Sequence, residues 1–210
     1  PILGGVLVEP IGWRGILGVV AAFTGLLVVM VLLWVPESLP TERRHDGGLR
    51  ILLDGTRELA RDHVLVRLLF INALSFGLLM AYLSAAPFVL RNVLGMGTVA
   101  YTAVFGLCGA TVTVTIAVAA SLVRRFSQAR QVRVGLIAGL VVDTVFAGVC
   151  LMWLREPVTG PERMPLLVAV VALFLAHVAC LGLSMGNAPA LALDRTGRWA
   201  GTGSALLGFL

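Results

Sequence analysis

The 210-residue sequence contains no lysine, and charged residues make up only 13% of it. A soluble domain carries about 25% charged residues, most of them needed at its surface. A free-standing soluble domain is therefore excluded. Cysteine is scarce as well. Cys108, Cys150 and Cys180 each lie alone inside an apolar run, without the close Cys or His spacing of a metal site, and read as small packing residues. The sequence has no glycine-rich phosphate loop and no nucleophile elbow, and Ser84 has no histidine near it in sequence. Neither catalysis nor a cofactor is expected. The net charge of +5 rests on sixteen arginines. They lie between apolar runs instead of along one face, which argues against a nucleic-acid partner.

What is abundant is apolar sequence: 59% of residues are hydrophobic, and the mean hydropathy is +0.98. A spanning helix needs about 20 apolar residues to cross a hydrocarbon layer about 30 Å thick. Five complete segments qualify, over residues 13–35, 68–90, 99–123, 134–154 and 166–193, with stubs over 1–8 and 199–210. The expected fold class is all-α, a polytopic transmembrane helical bundle in a lipid bilayer.

Arginine placement supports these spans independently. Segments 36–67, 124–133 and 194–198 hold Arg43, Arg44, Arg50, Arg57, Arg61, Arg67, Arg124, Arg125, Arg130, Arg133, Arg195 and Arg198. The alternate segments hold only Arg14, Arg91, Arg155 and Arg163. The bias switches with every crossing, and the arginine-rich group is expected on the cytoplasmic side. Within 36–67, Leu49, Leu52, Leu53, Leu59 and Ala60 recur near helical spacing opposite Arg50, Asp54, Arg57, Glu58, Arg61 and Asp62. This pattern predicts an amphipathic surface helix, with Asp54/Arg57 and Glu58/Arg61 as i,i+3 pairs. Small residues four apart, Gly18/Ala22, Gly106/Ala110 and Gly201/Ala205, predict close helix approaches.

Several short motifs resemble one family. Pro1-Ile2-Leu3-Gly4-Gly5 is similar to the end of the fifth-span antiporter signature of the major facilitator superfamily, Gly-Pro-x-x-Gly-Gly. Gly12-Trp13-Arg14 opens a sixth span, and Pro36-Glu37-Ser38-Leu39 closes it. The later half looks most like the bicyclomycin-resistance (Bcr/CflA-type) drug efflux branch. The motifs that carry this are Tyr82-Leu83-Ser84-Ala85-Ala86-Pro87-Phe88-Val89-Leu90, Leu181-Gly182, Gly186-Asn187-Ala188-Pro189-Ala190 and Ala200-Gly201-Thr202-Gly203-Ser204-Ala205-Leu206-Leu207-Gly208. One departure is Asn187-Ala188-Pro189, where the branch more often has Pro before Asn.

The resemblance implies a partial major facilitator fold running from the fifth to the eleventh span, since both ends of the sequence lie in apolar runs. Residues 1–35 would end a first six-helix half, 36–67 would form the central cytoplasmic loop, and 68–210 would open the second half. It further implies proton-coupled efflux of small amphipathic compounds by alternating access, in a bacterial inner membrane and with no obligate protein partner. A same-fold importer or metabolite exporter is the alternative, followed by a non-transport intramembrane protein.

Candidate site residues follow from polarity inside the spans. Pro1, Gly4 and Gly5 carry the antiporter motif, whose implied role is to seal the two halves; ordinary helix packing is the other reading. Asp143 is the one acid well inside a complete span. It reads either as a structural partner, of Thr144 or of another helix, or as a proton site. The resemblance places its span at the periphery, away from the cavity. His177, the one histidine inside a span, reads as packing or as part of a substrate or proton site. Asn72, Phe76, Tyr82 and Asn187 lie on spans that line the cavity in the family. Polar and aromatic groups in an apolar wall suit a drug-sized ligand, and interhelical hydrogen bonding or packing explains them equally.

Overall fold

Inside hydrocarbon there is no water to satisfy backbone N–H and C=O groups, so an apolar segment crosses as a helix bonded to itself. The computed structural model describes residues 2–36, 48–153, 160–161 and 163–210, and every regular element among them is helical. Five helices are long and apolar enough to cross a membrane: Pro10–Trp34, His63–Val93, Thr98–Leu122, Gln128–Trp153 and Arg163–Asp194. They match the five expected spans in order, and the fold is the all-α polytopic bundle expected.

The chain divides into two units, Pro1–Gly48 and Leu49–Leu210. The first contains α1 (Ile2–Trp34), which is broken at Gly12, where φ is 64° and ψ is 178°. An L side chain rarely adopts that conformation, whereas glycine does so freely. The break separates the expected stub from the expected span beginning at Trp13. Beyond it, Trp13, Leu17, Phe23, Leu27 and Trp34 are all exposed, and a helix apolar on every side is built for a membrane. Gly4 and Gly5 lie in helical backbone. Pro1 lies outside the described residues, as do Glu37, Ser38, Leu39, Arg43, Arg44 and Arg155.

The second unit contains α2 (Leu49–Ala60), α3 (His63–Pro87), α4 (Thr98–Leu122), α5 (Gln128–Trp153), α6 (Arg163–Asp194) and α7 (Ala200–Phe209). Helix α6 is central and packs along α3, α4 and α5. One apolar core joins Tyr82, Ala86 and Leu90 to Cys108, Val170, Phe174 and Val178. A second joins Leu59, Leu65, Leu69 and Ala192 at the arginine-rich end.

Helix α3 starts at His63, earlier than the residue 68 expected from hydropathy. The Asp62 carboxylate accepts hydrogen bonds from the backbone N–H of Val64 (2.9 Å) and Leu65 (3.1 Å). An N-cap of this kind satisfies donors that would otherwise lack partners. At its other end α3 passes at Pro87 into a π-helical turn, Phe88–Val93. The following turn is clamped by Arg163, which donates to the carbonyls of Leu94 (2.8 Å) and Gly95 (2.6 Å).

The amphipathic helix forms as predicted, but with different ionic partners. Glu58 pairs with Arg198 at 2.6 Å instead of Arg61, and no ion pair joins Asp54 to Arg57 among the described residues. Leu59 packs against Trp199, which brings Arg198 within reach. An i,i+3 surface pair is worth only about 0.2–0.5 kcal/mol and yields easily to such a contact. Two of the three expected close approaches are open at their glycines. A Cβ added at Gly18 or Gly201 would meet nothing within 4 Å. Among the long helices, tight contacts are at Gly135, 2.9 Å from Leu183 Cβ, and Gly182, 2.9 Å from Thr115 Cβ; at the arginine-rich end Gly55 lies against Trp199 and Gly203 against Thr196. Small spacing permits approach only where the helix phase turns it toward a neighbour.

Candidate functional site

Helices α3 and α5 stand on either side of α6 and leave a cleft between them. The cleft holds two cavities, of about 310 Å³ and about 280 Å³. The first lies toward Val89, Cys150 and Phe174, and the second toward Ser75, Gly135 and Ser184. Both are lined by Leu78, Asp143 and His177.

The walls of the first cavity are almost wholly apolar, and aromatic rings shape them. Tyr82 meets Phe174 edge-on at 5.3 Å between centroids and stacks on Phe105 at 5.8 Å. Phe146 from α5 meets Phe174 edge-on at 4.8 Å. Such offset and edge-on pairs are the favoured aromatic geometries, and they fix the rings in place. His177 sits 6.2 Å from Tyr82, centroid to centroid.

Against these walls stands one acid–base pair. His177 Nδ1 lies 2.6 Å from Asp143 Oδ1, joining α6 to α5. The histidine side chain is 9% exposed and the aspartate 34%. His177 Nε2 is buried and has no hydrogen-bond partner among the described residues. Thr144, the neighbour considered for Asp143, instead donates to the carbonyl of Leu140 on its own helix at 2.6 Å. Asp143 thus pairs with another helix, the second structural partner considered for it, and lines the cleft with His177 and Tyr82.

The remaining sequence candidates lie elsewhere. Asn187 is buried and donates through Nδ2 to Gln131 Oε1 on α5 (3.3 Å) and to the carbonyl of Leu183 (2.9 Å). Asn72 is half-buried and Phe76 exposed. At 100° per residue they point roughly 115° and 155° round α3 from the mean direction of its cleft-lining residues, and neither lines the two cavities. Sequence reading passed over Gln131, Phe146, Phe174 and Arg163. Gln131, a lone amide near the start of a span, was the visible signal among them; the phenylalanines are indistinguishable from ordinary lipid-facing residues until the helices are assembled. Among the described residues, no group of three or more His, Cys, Asp or Glu side chains could hold a metal ion.

Comparison with known proteins agrees with this architecture. No solved structure matches the chain. An uncharacterized MFS-type transporter of Bacillus subtilis (strain 168), YdgK, is 24% identical over 216 residues, which cover 100% of this chain and 50% of the relative. The chain therefore spans about half the length of that protein. The family model for the Major Facilitator Superfamily matches residues 1–210. With five membrane-crossing helices and a match along its whole length, this multi-pass integral membrane protein belongs to the Major Facilitator Superfamily.

Proposed function

We propose that the chain is the membrane core of a secondary active transporter that exports small amphipathic compounds in exchange for protons. The observation that carries this reading is the cleft beside α6, where aromatic and aliphatic walls surround the hydrogen-bonded pair of a half-buried aspartate and a buried histidine. Ligand sites of this size combine apolar surface for binding with a few polar groups for orientation. An ionisable pair inside a span is costly and marks a substrate or ion path by default. The sequence motifs of the antiporter and drug-efflux type support export over import.

In this reading residues 1–35 close a first helical half, 36–67 link the halves on the cytoplasmic face, and 68–210 open the second. Gly4 and Gly5, with Pro1, would let the fifth span pack tightly. Substrate would contact Tyr82 and His177, with Asn187 in the buried α5–α6 contact and Asn72 and Phe76 on the side of α3 away from the cleft, and the two halves would rock about a midplane site. The bacterial cytoplasmic membrane is the setting that fits the arginine bias. The test is flux in proteoliposomes of the full-length protein, using a fluorescent amphipathic amine. A pH gradient of the correct sign should drive uptake above that of empty liposomes, and a protonophore should abolish it. Equal uptake with and without the gradient would rule out proton coupling.

A further inference from the structure

The two cavities beside α6 meet at Leu78, Asp143 and His177, of which the last two are titratable. This placement is near mid-span. At 1.5 Å per residue His177 lies roughly 21 Å along α6 from Arg163 and roughly 26 Å from Asp194. One cavity extends from the pair toward Cys150 and Val89, and the other toward Gly135 and Ser184 at the arginine-rich end.

The chemistry of the contact assigns the imidazole atoms their roles. An ionised carboxylate only accepts hydrogen bonds. With Asp143 ionised and its Oδ1 2.6 Å away, the hydrogen of a neutral ring sits on Nδ1. That leaves Nε2 with a free lone pair. This atom is buried and has no hydrogen-bond partner among the described residues, although buried polar atoms are normally satisfied. An unpartnered ring nitrogen whose opposite nitrogen is held by a carboxylate is oriented to accept a proton.

We propose that the Asp143–His177 pair is a proton-binding site within the transmembrane region, with His177 Nε2 as the atom that takes the proton. Uptake converts a carboxylate beside a neutral imidazole, net charge −1, into a carboxylate beside an imidazolium, net charge 0. The Nδ1–H···Oδ1 contact is kept in both forms, and the proton arrives from and returns to water entering the cavities. Among the described residues no arginine lines either cavity, so none of them balances the net charge of the pair. The other titratable groups around it are Tyr82 from α3, Cys108 of α4 behind that tyrosine, Cys150 on α5 and Cys180 on α6. None of them is a carboxylate or an imidazole. A proton site bordered by a cavity at each end has the placement that exchange across a membrane requires. Its role in transport rests on the proton-coupled reading above; its existence as a proton site does not.

The test reads the proton directly, without substrate or flux. The full-length protein is labelled with 15N-histidine in lipid nanodiscs, and the His177 resonances are assigned by their loss in His177→Gln. Acidification from about pH 9 to about pH 5 should move the Nε2 signal from its lone-pair to its N–H position. The Nδ1 signal should remain N–H throughout. In Asp143→Asn the midpoint should move to lower pH, because the carboxylate that stabilises the imidazolium is gone. Asp143→Glu, which keeps the charge, should restore it toward the wild-type value. An Nε2 signal that keeps one form across the range, or an unmoved midpoint in a folded Asp143→Asn protein, would overturn the assignment. A titrating pair in a protein that moves no substrate would instead sink the transport reading and leave the proton site standing.

Discussion

His177 Nδ1 lies 2.6 Å from Asp143 Oδ1, so the two acid–base residues that stand inside separate spans are partners. They are 34 residues apart in sequence and meet only because α5 and α6 pack along their lengths. Removing one member has unequal consequences. Asp143→Asn keeps a hydrogen-bonding side chain and should cost about 1 kcal/mol. His177→Leu leaves a carboxylate unpaired in an apolar wall and should cost about 3 kcal/mol or more. Thermal unfolding in detergent should show the second variant melting well below the first, and equal losses would mean that Asp143 carries no charge.

Asn187 spends Nδ2 on Gln131 Oε1 and on the Leu183 carbonyl. Its loss should register in stability before it registers in ligand binding. Asn187→Ala and Gln131→Ala should each destabilise by about 0.5–1.5 kcal/mol, and the double variant should cost less than their sum. Strict additivity in the double-mutant cycle would show that the 3.3 Å contact is not a working bond.

The glycines separate clearly by neighbour. Gly135→Ala places a Cβ 2.9 Å from Leu183 Cβ and 3.0 Å from the Cys180 carbonyl oxygen. Gly182→Ala places one 2.9 Å from Thr115 Cβ and 3.3 Å from the Val112 carbonyl oxygen. Overpacking of this kind costs about 1–3 kcal/mol. Gly201→Ala meets nothing within 4 Å and should be neutral or slightly stabilising through helix propensity. Melting temperatures of the three variants decide the matter, and a Gly201→Ala protein as unstable as the other two would show that the space beside α7 is filled.

At the arginine-rich end, Glu58 pairs with Arg198 at 2.6 Å and Asp62 with Arg195 at 2.8 Å. The hydrogen bond from Arg198 holds the Glu58 carboxyl below its ordinary range, and the bond from Arg195, helped by the backbone N–H groups of Leu65 and Val64, does the same for Asp62. Both folded-state pKa values are depressed, so the stabilisation is present above the unfolded carboxylate range and is lost as pH falls through the folded values, below about pH 4. The protection of α2 against hydrogen exchange, relative to the intrinsic rate at each pH, should therefore fall below that pH, and also at high salt near neutrality, because exposed pairs are screened. Protection unaffected by either change would mean that Leu59 and Trp199 alone hold the helix.

Much of the fold was legible because lipid imposes a simple rule on length and polarity. The five spans and the helix around Leu52, Leu53 and Leu59 follow from hydropathy and helical period alone. Their ends follow less well: the start of α3 is set by the Asp62 carboxylate, and the end of α1's first segment by the positive φ of Gly12. The site was legible in its parts. Asp143, His177 and Tyr82 stand out as polar or aromatic residues in apolar spans. Their pairing was not legible, because it depends on the rotation of α3, α5 and α6 about their own axes. The same rotation carries Asn72 and Phe76 away from the cleft and turns Gly135, rather than Gly201, against a neighbour.

Substrate-driven proton movement brings the cleft, the ion pair and the transport reading into one measurement. The full-length protein is reconstituted with a pH-sensitive dye trapped inside the liposomes, and an amphipathic amine bearing a permanent charge is added on one side. Wild-type protein should move protons in the direction opposite to the amine, and Asp143→Asn, folded by its melting curve, should not. Proton movement in Asp143→Asn equal to that of wild type would contradict a role for the pair in coupling, and its absence from both would contradict proton-coupled export.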